Sequence, residues 1–323
     1  MSNKDNVTIY NQLKANCKNL KSKYDLFLCM LEDKDKFPYS NEYPCYFKSE
    51  VLDEYIAEMG AAKDAYDKGA GGELKAHKNK KTGKIVPPKM LSVASSSRFC
   101  YLLFRNGIPN PEIFGQTGES GTIEFEKELP ILDKGTPPHM DAYYNGDKYE
   151  LFFECKCHEF FDSHGIQLSK SYKDKLQSYF PQILEKAVEK EVTRTDDNGN
   201  TYKTQVYEIE AHEVYELFNV KKYGLCFDIK QLLTHLMGII SRKEQTKPAK
   251  LIYIYNIPQI AQEHADFKAK IKKLFEQAKS IFESEVIRGF ATDKNIELSL
   301  FVYNDDTVKP MSAENLTQII PSK

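Results

Sequence analysis

The stretch "ELFFECKCHEFF", Glu150 to Phe161, decides how this chain is read. Its Leu, Phe and Cys residues compose a strand meant for burial, yet Glu154 and Lys156 stand in its middle. Side chains alternate across a strand. Leu151, Phe153, Cys155 and Cys157 therefore share one apolar face, where the cysteines act as small hydrophobes. Phe152, Glu154, Lys156 and His158 share the other. Burying an acid and an amine is costly unless they are paired. The pair is either a structural ion pair or the holder of a metal and a reacting group.

Immediately upstream lie "HMDAYY" (139–144) and "NGD" (145–147). Asn-Gly reads as a two-residue hairpin turn. In perfect register that turn pairs Tyr144 with Asp147, and so Asp141 with Glu150. Glu154 then lies roughly 13 Å further along the strand, too far to share a metal with Asp141. A shared site requires a bulge, a longer turn or a splayed pair near Asp141. With that condition met, the layout is a carboxylate on one strand with an acid and a lysine on the next. Mg²⁺ prefers such oxygen ligands and keeps several waters. It lowers the pKa of a water and polarises a phosphate. Lysine, a mobile point charge, orients the water or offsets charge in the transition state.

"PPHMD" followed by "ECK" resembles the PD-(D/E)XK nuclease superfamily, the fold of many restriction endonucleases and Holliday junction resolvases. Segment order is similar as well: "SVASSSRFCYLLF", "TIEFEKELPIL", "HMDAYY", "YELFFECKCHEFF", "DIKQLLTHLMGI" and "KLIYIYN", across about residues 71–256. Met140 departs from the superfamily's proline. The resemblance implies an α/β (α+β) fold with a restriction endonuclease-like core, a central mixed β-sheet flanked by helices. It implies Asp141 and Glu154 as metal ligands, the backbone carbonyl of Cys155 as a further one, and Lys156 as the catalytic lysine. It further implies a Mg²⁺-dependent DNA endonuclease, with Mn²⁺ as substitute, that leaves 5′-phosphate ends. RNA is the other polymer compatible with this chemistry, and a double-strand break would call for a homodimer. Members often add an acid from the first core helix. That helix has none here, so Glu73 in "GGELK" is the best substitute and Glu126 the other, although the plainer and favoured reading of either is a surface acid. "SSSR" and "DIKQLLTHL" look similar to a restriction-endonuclease-like subgroup of bacterial proteins, which implies Lys230, Gln231 and His235 as supporting residues. The plainer reading of those three is the polar face of an ordinary helix.

The rest of the chain bounds this reading. With 323 residues and 41% hydrophobic composition, the chain can build a sizeable core. No apolar run reaches the roughly 18 residues of a membrane span, and the polar start "MSNKDNVTIYNQLKANCKNLKSKYD" is unlike a signal peptide. Seven cysteines without a CxxC pair fit a reducing compartment. The expected location is the cytoplasm. A formal net charge of −2 does not announce nucleic-acid binding. Charge is local in "ELKAHKNKKTGKIVPPK", which holds Lys75, Lys78, Lys80, Lys81, Lys84 and Lys89; these form either a phosphate-contacting patch, led by Lys75, Lys78, Lys80, Lys81 and Lys84, or a solvated loop.

The expected organisation is a helical region at 1–70 packed on the core, a nuclease core at 71–256 with a helical and hairpin insertion at about 165–220, and a helix and strand extension at 257–323. "YDLFLCMLEDK" and "SEVLDEYIAEMGAAKDAYDKG" read as helical, as does "SKSYKDKLQSYFPQILEKAVEKEV", interrupted at Pro181. "TYKTQVYEIEAHEVY" reads as strand, and "DIKQLLTHLMGIISRKE" as a helix capped by Asp228. A long helix over about 260–286 and a last strand, "IELSLFVYN", close the chain. Two other functions compete. Cys155, Cys157, His158 and His164 suggest zinc, although Cys157 and His158 fall on opposite faces of a strand. A catalytically inactive, nuclease-fold binding module is the second. No GxxxxGK[ST], GxSxG, HExxH or GxGxxG pattern occurs.

Overall fold

The computed structural model of the protein describes residues 46–68, 72–78, 83, 85–92, 94–116, 121–132, 137–157, 164–195, 200–221, 224–242, 247–257, 265–304 and 307–312. The expected helix at "YDLFLCMLEDK", together with Lys80, Lys81, Lys84 and His158, lies outside the described residues.

The helical stretch ending at "GAGG" is two helices, α1 (Ser49–Met59) and α2 (Ala61–Lys68). Gly60 separates them with φ 51°, a conformation glycine adopts without Cβ strain. The basic stretch contains a short antiparallel pair, β1 (His77–Lys78) and β2 (Ile85–Val86). Helix α3 (Ser96–Phe104) starts where the serines predict, with Ser95 accepting the Arg98 N–H at 3.0 Å. Then come the antiparallel strands β3 (Ile123–Glu128), β4 (His139–Asn145) and β5 (Glu150–Lys156).

Strand β6 (Gln167–Ser169) precedes helices α4 (Lys173–Tyr179) and α5 (Pro181–Lys186). Beyond them the helical expectation fails: "AVEKEV" belongs to strand β7 (Ala187–Thr195), which pairs with β8 (Thr201–Ile209) from Ala187↔Ile209 to Thr195↔Thr201. That long hairpin ladder outweighs the weak helix preference of Ala, Glu and Lys. "AHEVY", expected as strand, begins helix α6 (Ala211–Phe218), which buries Val214 and Phe218 one helical turn apart. Helix α7 (Ile229–Ser241) is capped by Asp228 as expected, the carboxylate accepting the Gln231 N–H at 2.9 Å. It leads to strand β9 (Ala249–Asn256), helices α8 (Ala265–Glu283) and α9 (Glu285–Asp293), and strands β10 (Ile296–Asn304) and β11 (Thr307–Pro310).

The central sheet runs β11-β10-β9-β5-β4-β3. β5–β9 and β9–β10 are parallel and the other pairs antiparallel, so the sheet is mixed. Helices flank both faces. On one, Phe153 of β5 meets Phe104 of α3 at 4.6 Å and Phe114 at 5.2 Å between ring centres. On the other, Tyr253 of β9 meets Phe227 before α7 at 5.2 Å and Phe282 of α8 at 6.4 Å. Gly238 lets α7 lie close to the sheet, because a Cβ there would stand 2.7 Å from the Leu129 Cβ. β6, β8 and β7 form a separate three-stranded sheet. Among the described residues no helix is long and apolar enough to cross a membrane.

Candidate active site

The turn between β4 and β5 decides whether Asp141 can meet Glu154. It is not the two-residue Asn-Gly turn. Asn145 pairs with Glu150, and residues 146–149 form the loop, closed by the Gly146 N–H to the Tyr149 carbonyl at 3.0 Å. Gln116 occupies its inside, donating to the Tyr149 carbonyl at 3.2 Å and accepting the Lys148 N–H at 3.2 Å. Lys247 ties the outside through Asn145 Oδ1 at 2.9 Å and the Gly146 carbonyl at 2.6 Å. This is the longer turn that a shared site requires. Ala142 now pairs with Phe153, so one step further Asp141 stands level with Glu154. Side chains directly opposite in a pair share a face.

Two faces of β5 therefore have separate jobs. Cys155 and Cys157 lie on the α3 side, completely buried, and Cys157 Sγ donates to the Ser95 carbonyl at 3.6 Å. Glu154 and Lys156 lie on the α7 side, 3% and 8% exposed. Lys156 Nζ donates to Glu154 Oε1 at 2.7 Å and to Gln231 Oε1 at 2.7 Å. Gln231 Nε2 donates to the same Glu154 oxygen at 2.6 Å, closing a triangle. Asp228 and Gln231 have the spacing of a capping box, in which the glutamine would turn back to the helix start. Here its amide goes to the acid and the lysine instead.

His235, one helical turn beyond Gln231, sits 3.8 Å from Glu154 Oε2 and 3.4 Å from the Tyr253 hydroxyl. Burial and the Lys156 charge push its pKa down to about 3, so it is a neutral imidazole. Asp141 Oδ2 accepts the Cys155 N–H at 2.7 Å. Its pKa is nevertheless well above the usual carboxylate range, first through burial and then through the Glu154 and Glu126 charges.

Glu126 extends the row of acids onto β3. Phe125 pairs with Ala142 and Lys127 with Met140, which leaves Glu126 level with Asp141. Glu126 has φ 49°, a strained conformation for a residue with a Cβ. Burial, then the Glu73 and Glu154 charges, push its pKa up to about 8. Glu73 is 6% exposed; Lys89 meets its Oε1 at 3.3 Å, while its buried Oε2 has no hydrogen-bond partner among the described residues. The charges of Glu73 and Glu154 thus act on Glu126, and those of Glu154 and Glu126 on Asp141, with Lys89 and Lys156 beside them.

The other predicted residues are not drawn into this group. Lys230 is exposed at the start of α7 and takes no part in these contacts. Lys75 is exposed and paired with Asp67 at 2.9 Å, and Lys78 is exposed on β1. The suggested zinc set does not assemble among its described members: the cysteines face α3, and His164 faces Asp228 at 3.6 Å. Sequence reasoning missed Tyr253 and Lys89. Tyr253 stands level with Glu154 only through the parallel β5–β9 register, for which no local pattern exists. Lys89 was read only as one more lysine of a basic loop.

Hard oxygen donors, two carboxyls whose pKa is raised by burial and then by neighbouring acids, and a buried acid oxygen with no hydrogen-bond partner among the described residues are groups that could hold a divalent cation such as Mg²⁺. Among the described residues no three His, Cys, Asp or Glu side chains already close on one point. A cation at Glu154 would compete with the Lys156 and Gln231 contacts. No family model, no curated protein and no solved structure matches the chain.

Proposed function

We propose that the protein is a divalent-metal-dependent phosphodiester hydrolase acting on DNA, an endonuclease built on a restriction endonuclease-like core. One observation carries the reading: the β4–β5 register brings Asp141 opposite Glu154, its carboxylate accepting the Cys155 N–H at 2.7 Å, with Lys156 two residues on. Asp141 and Glu154 would hold the cation, with the Cys155 carbonyl beside them. When bound, the cation supplies Lewis acidity toward a phosphate oxygen and a water.

The chain's own residues set up the rest. Lys156 is a mobile ammonium kept in place by Gln231, able to swing from Glu154 to a phosphate whose charge rises in the transition state. Neutral His235 brings no second positive charge to compete for Glu154. The strained Glu126 backbone and the pressed-together acids cost stability, as expected where a site is built for a ligand that is charged.

The test is incubation of purified protein with supercoiled plasmid and linear DNA in Mg²⁺, in Mn²⁺ and in chelator. Metal-dependent nicking or linearisation with 5′-phosphate ends is the expected outcome. DNA binding without cleavage in either metal would mark the chain as an inactive binding module instead.

A further inference from the structure

Glu150 and Glu154 hold their cationic partners in different ways. Arg242 clasps Glu150 with two N–H donors in a fixed fork, at 2.7 and 3.0 Å. Glu154 has a lysine instead, its Nζ 2.7 Å from Oε1. An ammonium is a point charge on a flexible stem, and it exchanges one acceptor for another. Gln231 bridges the pair: its Oε1 accepts from Lys156, and its Nε2 donates to the same Glu154 oxygen at 2.6 Å. Two donors therefore converge on one oxygen of an expected metal ligand.

A divalent cation and this ammonium conflict. Mg²⁺ bound to that oxygen at its usual distance would lie within about 5 Å of Lys156 Nζ. Glu154 and Lys156 are both buried, so little water screens the repulsion between two positive charges so close together. Nor can the ammonium simply withdraw, because leaving it buried without an anion is costly. Gln231 offers it a dipole, not a charge.

A phosphodiester resolves the conflict. It brings a negative charge with strong acceptor oxygens, to which the lysine can transfer as the carboxylate is released. Gln231 is built to guide that transfer. Its backbone N–H is held by the Asp228 carboxylate at 2.9 Å, while its side chain is turned away from the helix start. Its Oε1 thus keeps one hydrogen bond to Lys156 as the ammonium turns from Glu154.

We propose that Lys156 is a latch on the cation site: it occupies Glu154 until a phosphodiester takes its ammonium, so that the divalent cation and the nucleic acid load together. This rests on the phosphodiesterase reading above and adds the regulation of the same site. The protein alone keeps a low affinity for the cation, and the substrate raises it. By linkage the cation raises the affinity for nucleic acid by the same factor, and such couplings are typically about 5–150-fold.

The test is Mn²⁺ binding to the full-length protein, read from the electron paramagnetic resonance of the free ion. It is run with and without a DNA duplex of phosphorothioate linkages, which keep the charge and slow cleavage; Mn²⁺ taken up by the duplex alone is subtracted. Without duplex, Lys156→Met and Lys156→Gln should each bind Mn²⁺ roughly tenfold or more tightly than the wild type, and K156M/E154Q should lose that gain. With duplex, the wild-type affinity should rise roughly tenfold or more, and that of the two Lys156 variants by less than about threefold. Thermal melts check that the variants fold; should neither fold, the wild-type measurement with and without duplex decides. Equal or weaker Mn²⁺ binding by both folded variants would overturn the latch. So would a duplex that leaves the wild-type affinity unchanged. Coupled binding without plasmid cleavage would uphold the latch and count against the nuclease reading, and cleavage with uncoupled binding would do the reverse.

Discussion

Strand β5 carries two buried glutamates on one face, four residues apart, and they live in opposite surroundings. Glu150, at the start, is fully matched. Arg242 grips it with two N–H donors at 2.7 and 3.0 Å, and the Tyr143 hydroxyl donates to it at 2.7 Å. Burial works against the charge, yet the arginine and tyrosine overcome it and hold the Glu150 pKa below the usual range. Glu154, near the end, sits in a cluster that holds Asp141 and Glu126 far above it. A charge buried with a complete partner set is a building element. Acids buried near one another instead raise each other's pKa, on top of what burial does.

The largest expected effect on stability lies at the matched end. Arg242→Ala leaves Glu150 charged and buried, and should cost about 3–5 kcal/mol in urea unfolding. A loss under 1 kcal/mol would remove the contrast. Next comes cation binding at the crowded end. At a concentration of about 100 times Kd, Mg²⁺ should raise wild-type stability by about 2.7 kcal/mol, and should do nothing for Glu154→Gln. Equal stabilisation of both proteins would place the cation elsewhere.

The two ends should also respond oppositely to pH. Glu126 ionises in the unfolded chain near 4.5 but in the folded, metal-free protein only near 8. Between those values the folded state binds more protons, so stability from this group is full below 4.5 and falls as pH rises to 8. Glu150 has a lowered folded pKa, so its contribution is present above its unfolded value and is lost as pH falls below it. Glu126→Gln should flatten the loss between pH 5 and 8, with a gain on the order of 1–2 kcal/mol at pH 8. An unchanged slope would show that the acids do not repel one another. The smallest effect is Tyr143→Phe, which removes one hydrogen bond to Glu150 and should cost about 1 kcal/mol.

The two faces of β5 were legible in sequence, because alternation is the strand's own geometry. So was the conflict between an Asn-Gly turn and a shared site. What could not be read was how the conflict is resolved: Gln116 and Lys247 reach the turn from 32 and 101 residues away. Lys230, Gln231 and His235 were implied together by the resemblance of "DIKQLLTHL"; Gln231 and His235 lie beside Glu154, while Lys230 turns outward. The positive φ of Glu126 has no sequence signal, since nothing near it favours that conformation. β7 was misread because its partner strand, not its composition, selects its structure.

Plasmid cleavage in Mg²⁺ by wild type, Glu154→Gln and Lys156→Ala, each checked for folding by thermal denaturation, tests the central claim most directly. The account predicts metal-dependent cleavage by the wild type and a loss of roughly a hundredfold to a thousandfold or more in each variant. Cleavage at the wild-type rate by both folded variants would contradict it.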